Sequence, residues 1–183
     1  MYQDMGNAES ALRHLEEFGN ASPRFEPEML LARAELLLRM GRPEQGMALI
    51  DGAVSEQGEI VDESLRAAHV SFYTALMQDA IERGDLEAAE TWIDEGLGLY
   101  PGEQALLYAE SRLLQEQGEL RRAVRLLEDL VDDSPDNPVF LNALGYLLTD
   151  RLDRHEEARG YIQRALALDP ENGAILDSMG WVL

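Results

Sequence analysis

The side chains in this chain that could do chemistry are its carboxylates, three histidines and a small set of aromatic and amide groups. Of 183 residues, 36 are acidic and 15 basic, giving a net charge of −21. Every basic residue is arginine. His14, His69 and His155 stand far apart, with no HExxH pair, so no metal site is expected. The run Asp132-Asp133-Ser134-Pro135-Asp136 has the acidity of a calcium loop but neither its alternating ligand spacing nor its terminal glutamate. It reads as a turn with a proline stop. Cysteine is absent, which removes disulfides and thiolate catalysis. There is no glycine-rich phosphate loop and no Ser-His-Asp set. Carboxylates such as Glu156 and Glu157 have the spacing of a solvated helix face. Asn20-Ala21-Ser22 is a glycosylation sequon by letters only. The expectation is a non-enzyme with no catalytic residues and no cofactor.

Binding chemistry is better represented. Tyr108, Asn142, Tyr146 and Trp181, joined by Arg112, Gln78 and Thr74, make the candidate partner-binding set. Aromatic anchors bury much area at little entropic cost. An asparagine can hydrogen-bond the backbone of an extended peptide. A packing role for Tyr146 and Trp181 between neighbouring helices remains the alternative, and Trp92, beside core Ile93, reads as packing. The acidic balance disfavours nucleic acid and anionic membrane. It suits either solubility or a basic partner. No apolar run nears the ~18 residues of a membrane span, so direct membrane insertion is not expected. The opening Met1–Met5 lacks the basic start and apolar stretch of a signal peptide.

What positions these groups is a repeat. Pro101 and Pro135 are 34 residues apart, as are Gly84 and Gly118, while Pro135 and Pro170 are 35 apart. After each such glycine comes an apolar helical stripe with a small residue early in it. Gly41–Gly46, Gly84–Ala89 and Gly118–Ala123 show this, and Gly6–Ala11 suggests a further turn near the start. The clearest copy runs from Asn142 through Leu144-Gly145, Ala158, Ile162 and Ala165 to Pro170. Small residues sit where two helices must cross closely, with large apolar residues a turn away. The pattern divides the chain into a partial unit 1–23, units 24–57, 70–101, 102–135 and 136–170, and a partial unit 171–183. Between 57 and 70 the phase slips by nine residues. Val61, Leu65, Ala68 and Phe72 continue a stripe backwards there, so residues 58–69 read as an insertion and extended helix, adding roughly 13 Å. A tolerated loop insertion is the other reading. The turn at Asp150–Arg154 is one residue longer than its counterparts.

This pattern resembles the tetratricopeptide repeat, a 34-residue helix-turn-helix with small, apolar and proline positions at set places. Departures are Leu76-Met77 and Glu110-Ser111 where the family often has Leu-Gly. The resemblance implies an all-α fold, a right-handed α-α superhelix (solenoid) of about five units, truncated at both ends. It implies stacked helix pairs whose first helices line a concave face for a partner polypeptide. The inner positions in phase are Glu28, Leu31, Glu35 and Leu38, then Ser71, Thr74, Gln78 and Ile81, then Ala105, Tyr108, Arg112 and Gln115. The last two units contribute Val139, Asn142, Tyr146, Thr149, Asp177, Ser178 and Trp181. Many eukaryotic relatives hold an acidic peptide in this groove with lysine, arginine and asparagine. Here the surface offers only Arg112, and Glu35, Glu82, Glu116, Asp150 and Asp177 edge it. The expected partner is therefore a protein or peptide that is neutral, apolar or basic. The C-terminal copies, Asn142 to Trp181, look like bacterial exported or lipid-anchored members, one type of which is an adaptor for a C-terminal processing protease. That likeness implies a non-catalytic scaffold or adaptor, periplasmic or outer-membrane-associated, otherwise cytoplasmic. The rival readings are a helical arm of a larger enzyme, such as a glycosyltransferase or methyltransferase, and a cytosolic assembly or regulatory factor. Leu176, Met179 and Leu183 would leave an apolar strip uncovered at the last helix, from which self-association is expected.

Overall fold

The structure, a computed structural model, describes residues 2–21, 26–57 and 62–182. Among these there are ten helices and no strand: α1 Tyr2–Ala21, α2 Glu26–Arg39, α3 Pro43–Gln57, α4 Glu63–Glu82, α5 Leu86–Leu99, α6 Gln104–Glu116, α7 Leu120–Asp133, α8 Pro138–Leu152, α9 His155–Leu168 and α10 Gly173–Trp181. They form two compact units, Met1–Pro101 and Gly102–Leu183. No described helix is long and apolar enough to cross a membrane. Pro23, Gly58, Val61 and Leu183, and the side chain of Phe18, lie outside the described residues.

Local chemistry sets the helix ends. The Asp85 carboxylate accepts the N–H of Ala88 at 3.1 Å, and Asn137 accepts that of Val139 at 2.9 Å, each satisfying an otherwise orphaned first-turn donor. Pro138 follows Asn137 at the start of α8, where its missing N–H is no loss. Three hairpin turns close on a left-handed glycine: Gly41, Gly84 and Gly118 have φ of 72°, 75° and 78°. In each the next residue donates to the carbonyl five back, as in Arg42 to Leu37, Asp85 to Ala80 and Glu119 to Leu114. In the α8–α9 turn the bond from Arg154 reaches six back, to Leu148, and a non-glycine, Asp153, holds the left-handed position at φ 54°. That is the extra residue counted in the sequence.

Gly6 behaves differently from its expected counterparts. No turn forms there, and α1 runs unbroken from Tyr2 to Ala21. Glycine permits a turn without imposing one. Arg33 of α2 reaches Glu16 of α1 at 3.8 Å.

In the first unit the core is built on Ile50, Phe72, Leu76 and Ile93, each at most 1 % exposed. Full burial of such side chains contributes about 1.5–3 kcal/mol each. α4 has 20 residues, whereas α2, α6 and α8 have 14, 13 and 15. Its added N-terminal turns bury Leu65, Ala68 and His69. In the second unit Leu127, Leu141, Leu144, Leu147 and Ile162 form one cluster with Phe140 and Ile175.

Two helix pairs, α2–α3 and α8–α9, cross where one partner has no side chain. A Cβ on Gly145 of α8 would meet Ile162 Cγ1 at 2.5 Å and the Ala158 carbonyl oxygen of α9 at 3.0 Å. A Cβ on Gly46 of α3 would meet Phe72 Cζ at 2.6 Å and the Ala34 carbonyl oxygen of α2 at 2.9 Å. Where the family's glycine is replaced by serine, in α6, Ser111 is fully buried and its hydroxyl donates to the Tyr108 carbonyl at 2.7 Å. That internal bond satisfies the polar group without a partner across the crossing.

Candidate functional site

The binding residues expected from the repeat phase all fall on first helices of pairs. Thr74 and Gln78 lie on α4 in the first unit; Tyr108 and Arg112 lie on α6, Asn142 and Tyr146 on α8, and Trp181 on α10 in the second.

On α4, Thr74 and Gln78 are half-buried. The Thr74 hydroxyl donates to the Ser71 carbonyl at 2.8 Å, and the Gln78 amide donates to Glu82 Oε1 at 2.9 Å. The Gln78 Oε1 atom is buried and has no hydrogen-bond partner.

In the second unit Tyr108 is half-buried and packs its ring 5.7 Å from Phe140. Arg112 is exposed. Tyr146 and Trp181 expose 40 % and 66 % of their surface, far more than core aromatics such as Phe140 at 6 %. Val139 is exposed too, at 47 %. Asn142, one helical turn before Tyr146, is half-buried, and its Oδ1 is sealed from solvent without a partner. Leaving a buried acceptor unpaired costs about 1–3 kcal/mol.

Three expected inner-face positions are buried instead: Leu38 on α2, 8 % exposed, and Thr149 and Ser178. Thr149 and Ser178 are each 4 % exposed. Each sits next to an exposed carboxylate, Asp150 and Asp177, and one residue along a helix turns the side chain by about 100°. Asp150 and Asp177 thus take the outward direction, while Thr149 and Ser178 face the core. Ser178 donates to the Ala174 carbonyl at 2.9 Å, and Thr149 Oγ1 lacks a partner. On α10, Leu176 is 48 % exposed, while Met179 is half-buried against the cluster.

One side-chain assembly escaped the reading of the sequence. His69, 1 % exposed, sits on the added turns of α4. Its Nδ1 is 2.8 Å from the Tyr100 hydroxyl at the end of α5, and its ring stacks on Tyr73 at 4.8 Å. Its Nε2 lies 3.2 Å from Asp51 Oδ1 of α3, within ion-pair reach but off the direction of a good hydrogen bond. A proton on Nε2 faces Asp51 and leaves Nδ1 to accept the Tyr100 hydroxyl. Burial pushes the His69 pKa down, and Asp51 opposes this in part. Burial, Asp51, Glu95 and Tyr100 push the Tyr73 hydroxyl up to about 12. The Arg66 guanidinium lies 5.6 Å over the Tyr100 ring. The Tyr-His-Asp order resembles a proton relay, but a ring this buried is out of reach of a substrate, so the cluster ties α3, α4 and α5 together. The signal was present: His69 continues the Leu65-Phe72-Leu76 stripe, where a histidine must be buried and partnered. Among the described residues, no three histidines or carboxylates converge to hold a metal.

A family model described as tetratricopeptide repeat matches residues 108–173, and a second of the same description matches 27–51 and 70–95. A TPR repeat-containing protein of Pseudomonas aeruginosa is 35 % identical over 172 residues, 93 % of this chain and 28 % of that protein. Cellulose synthase operon protein C of Pseudomonas fluorescens is 26 % identical over 144 residues, 76 % of this chain and 11 % of that protein. The chain thus spans less than a third of these relatives. Among solved structures, a thermophilic TPR protein of Thermus thermophilus superposes with a TM-score of 0.63 at 20 % identity, covering 99 % of this chain and 93 % of that one. An O-GlcNAc transferase of Thermobaculum terrenum gives 0.57 at 22 %, over 68 % of this chain and 23 % of that one. MamA of Desulfovibrio magneticus gives 0.56 at 17 %, over 93 % and 90 %. At such identities these structures share the fold.

Proposed function

We infer, for a chain that belongs to the tetratricopeptide repeat family, that it is a non-catalytic scaffold holding a partner polypeptide on first-helix surface, foremost that of its second unit. The observation that carries this is the pair Tyr146 and Trp181, both exposed on first helices of the second unit. Large aromatic surface left in water is what a binding surface offers its ligand. The direct test is capture of partners from extract by the full-length protein, compared with Tyr146→Ala and Arg112→Glu. Loss of a specific partner is expected in Tyr146→Ala, and changed recovery in Arg112→Glu. Undiminished recovery in both would overturn this assignment of the face.

The finer reading is an adaptor for a C-terminal processing protease of the bacterial envelope, periplasmic or outer-membrane-associated. Its support is the style of the Asn142–Trp181 segment. Such a protease should dominate the captured material, and fractionation should place the protein with the envelope; recovery in the cytosol would remove this reading. A helical arm of a larger enzyme is the rival, favoured by the transferase of similar fold and by the much greater length of the curated relatives. A catalytic domain in the intact gene product would decide for it. Self-association through α10 draws support from exposed Leu176 and Trp181. A monomeric mass by light scattering at tens of micromolar would remove it.

A further inference from the structure

The first-helix face of the second unit carries a pattern of charge and aromatic surface that selects among polypeptides. Building on the reading that this face holds one, we propose that its occupant is an extended segment bearing an arginine or lysine. The cationic side chain lies over Tyr146 and Trp181 between Asp150 and Asp177.

Two observations carry this. Tyr146 and Trp181 are 35 residues apart, one repeat with its longer turn, so they hold the same position on α8 and α10. Both rings are exposed, and aromatic faces attract cations. Asp150 lies one turn after Tyr146 on α8, and Asp177 one turn before Trp181 on α10, both exposed. A cation over the rings therefore meets carboxylates on either side.

The same face assigns a direction. Arg112 holds on α6 the position that Tyr146 holds on α8, one repeat earlier. Its charge turns the ligand's cation away from α6 and towards α10. An acidic segment would face Asp150 and Asp177 and be repelled.

Three acetylated and amidated octapeptides, identical except for a central arginine, norleucine or glutamate, can be titrated into the 183-residue chain, with tryptophan fluorescence and calorimetry as readouts. The arginine peptide is expected to bind about tenfold more tightly than the norleucine peptide, with the glutamate peptide weakest. The double variant Asp150→Asn with Asp177→Asn, both at exposed positions, should abolish most of that preference, read as the ratio of arginine to norleucine affinity within the same variant. If all three peptides bind alike and Tyr146→Ala removes them, the face holds polypeptide and the cation preference is wrong. If Tyr146→Ala changes nothing, or no peptide binds, the face assignment falls together with the preference.

Discussion

The α2–α3 and α8–α9 hairpins solve one crowding problem from opposite sides. In both, two helices approach so closely that one crossing residue must lack a side chain. In α8–α9 the glycine is on the first helix, Gly145, facing Ala158; in α2–α3 it is on the second, Gly46, facing Ala34. The pair, rather than either position, is what is constrained. Met77 with Ala89 and Ser111 with Ala123 fill the same places in the remaining hairpins with no glycine at all. A pattern written position by position averages over this exchange, which is why single motifs are weak and the phase of several is strong.

The largest test of this view sits in α8–α9. Ile162→Ala should cost about 3 kcal/mol as a fully buried side chain is deleted. Gly145→Ala should cost about 2 kcal/mol, because the Cβ conflict outweighs the ~1 kcal/mol helix gain of alanine over glycine. Combined, they should cost less than their sum, since losing the Ile162 branch relieves the closest conflict. Urea midpoints at constant m value measure all three. Strict additivity would mean that Ile162 is not what excludes a side chain at 145. In α2–α3, Gly46→Ala should cost about 1–2 kcal/mol and be eased by Phe72→Leu, which withdraws the ring atom at 2.6 Å.

The turns differ as the crossings do. Gly118→Ala should lose about 1 kcal/mol, because a Cβ resists positive φ. Asp153→Gly should gain about 0.5 kcal/mol, since it removes the same strain from the one described residue other than glycine that holds a left-handed position. Equal and opposite shifts in the other direction would contradict the turn argument.

The smallest effect is acid sensitivity, and it separates the two hairpins again. His69 holds α3 to α4 and α5, and its folded pKa lies below the unfolded value because its ring is buried. The unfolded chain therefore binds more protons as pH falls below about 6.5, so the first unit should lose stability there and regain it above. Hydrogen exchange at pH 5.5 and 7.5 should show extra opening of α3 and α4 in acid, with α8 and α9 unchanged. His69→Phe should flatten the difference; acid opening that persists in that variant would assign it to other groups.

Much of the fold was legible because the 34-residue spacing of glycine and proline reports turns directly, and the stripes between them report helix faces. Less was legible where the answer depends on three-dimensional neighbours. Gly6 has the letters of a turn and remains helical. Thr149 and Ser178 lie one residue from exposed carboxylates, and a phase counted in whole residues could not tell which of each pair points out. His69 was passed over because histidines were sought as ligand pairs, whereas here the partners are Tyr100 and Asp51, 31 and 18 residues away. The aromatic and amide set could be named from phase, but its exposure and the orphaned Asn142 oxygen belong to packing.

The long helix α4 begins seven residues before the place where α6 and α8 would start it, counting back by 34. Seven residues make nearly two whole turns, drifting only about 20°. Leu65 and Phe72, and His69 and Leu76, therefore fall in line, and all four are buried. An array of this kind can be lengthened by a heptad at little risk, whereas an insertion of two or five would rotate everything upstream out of its socket.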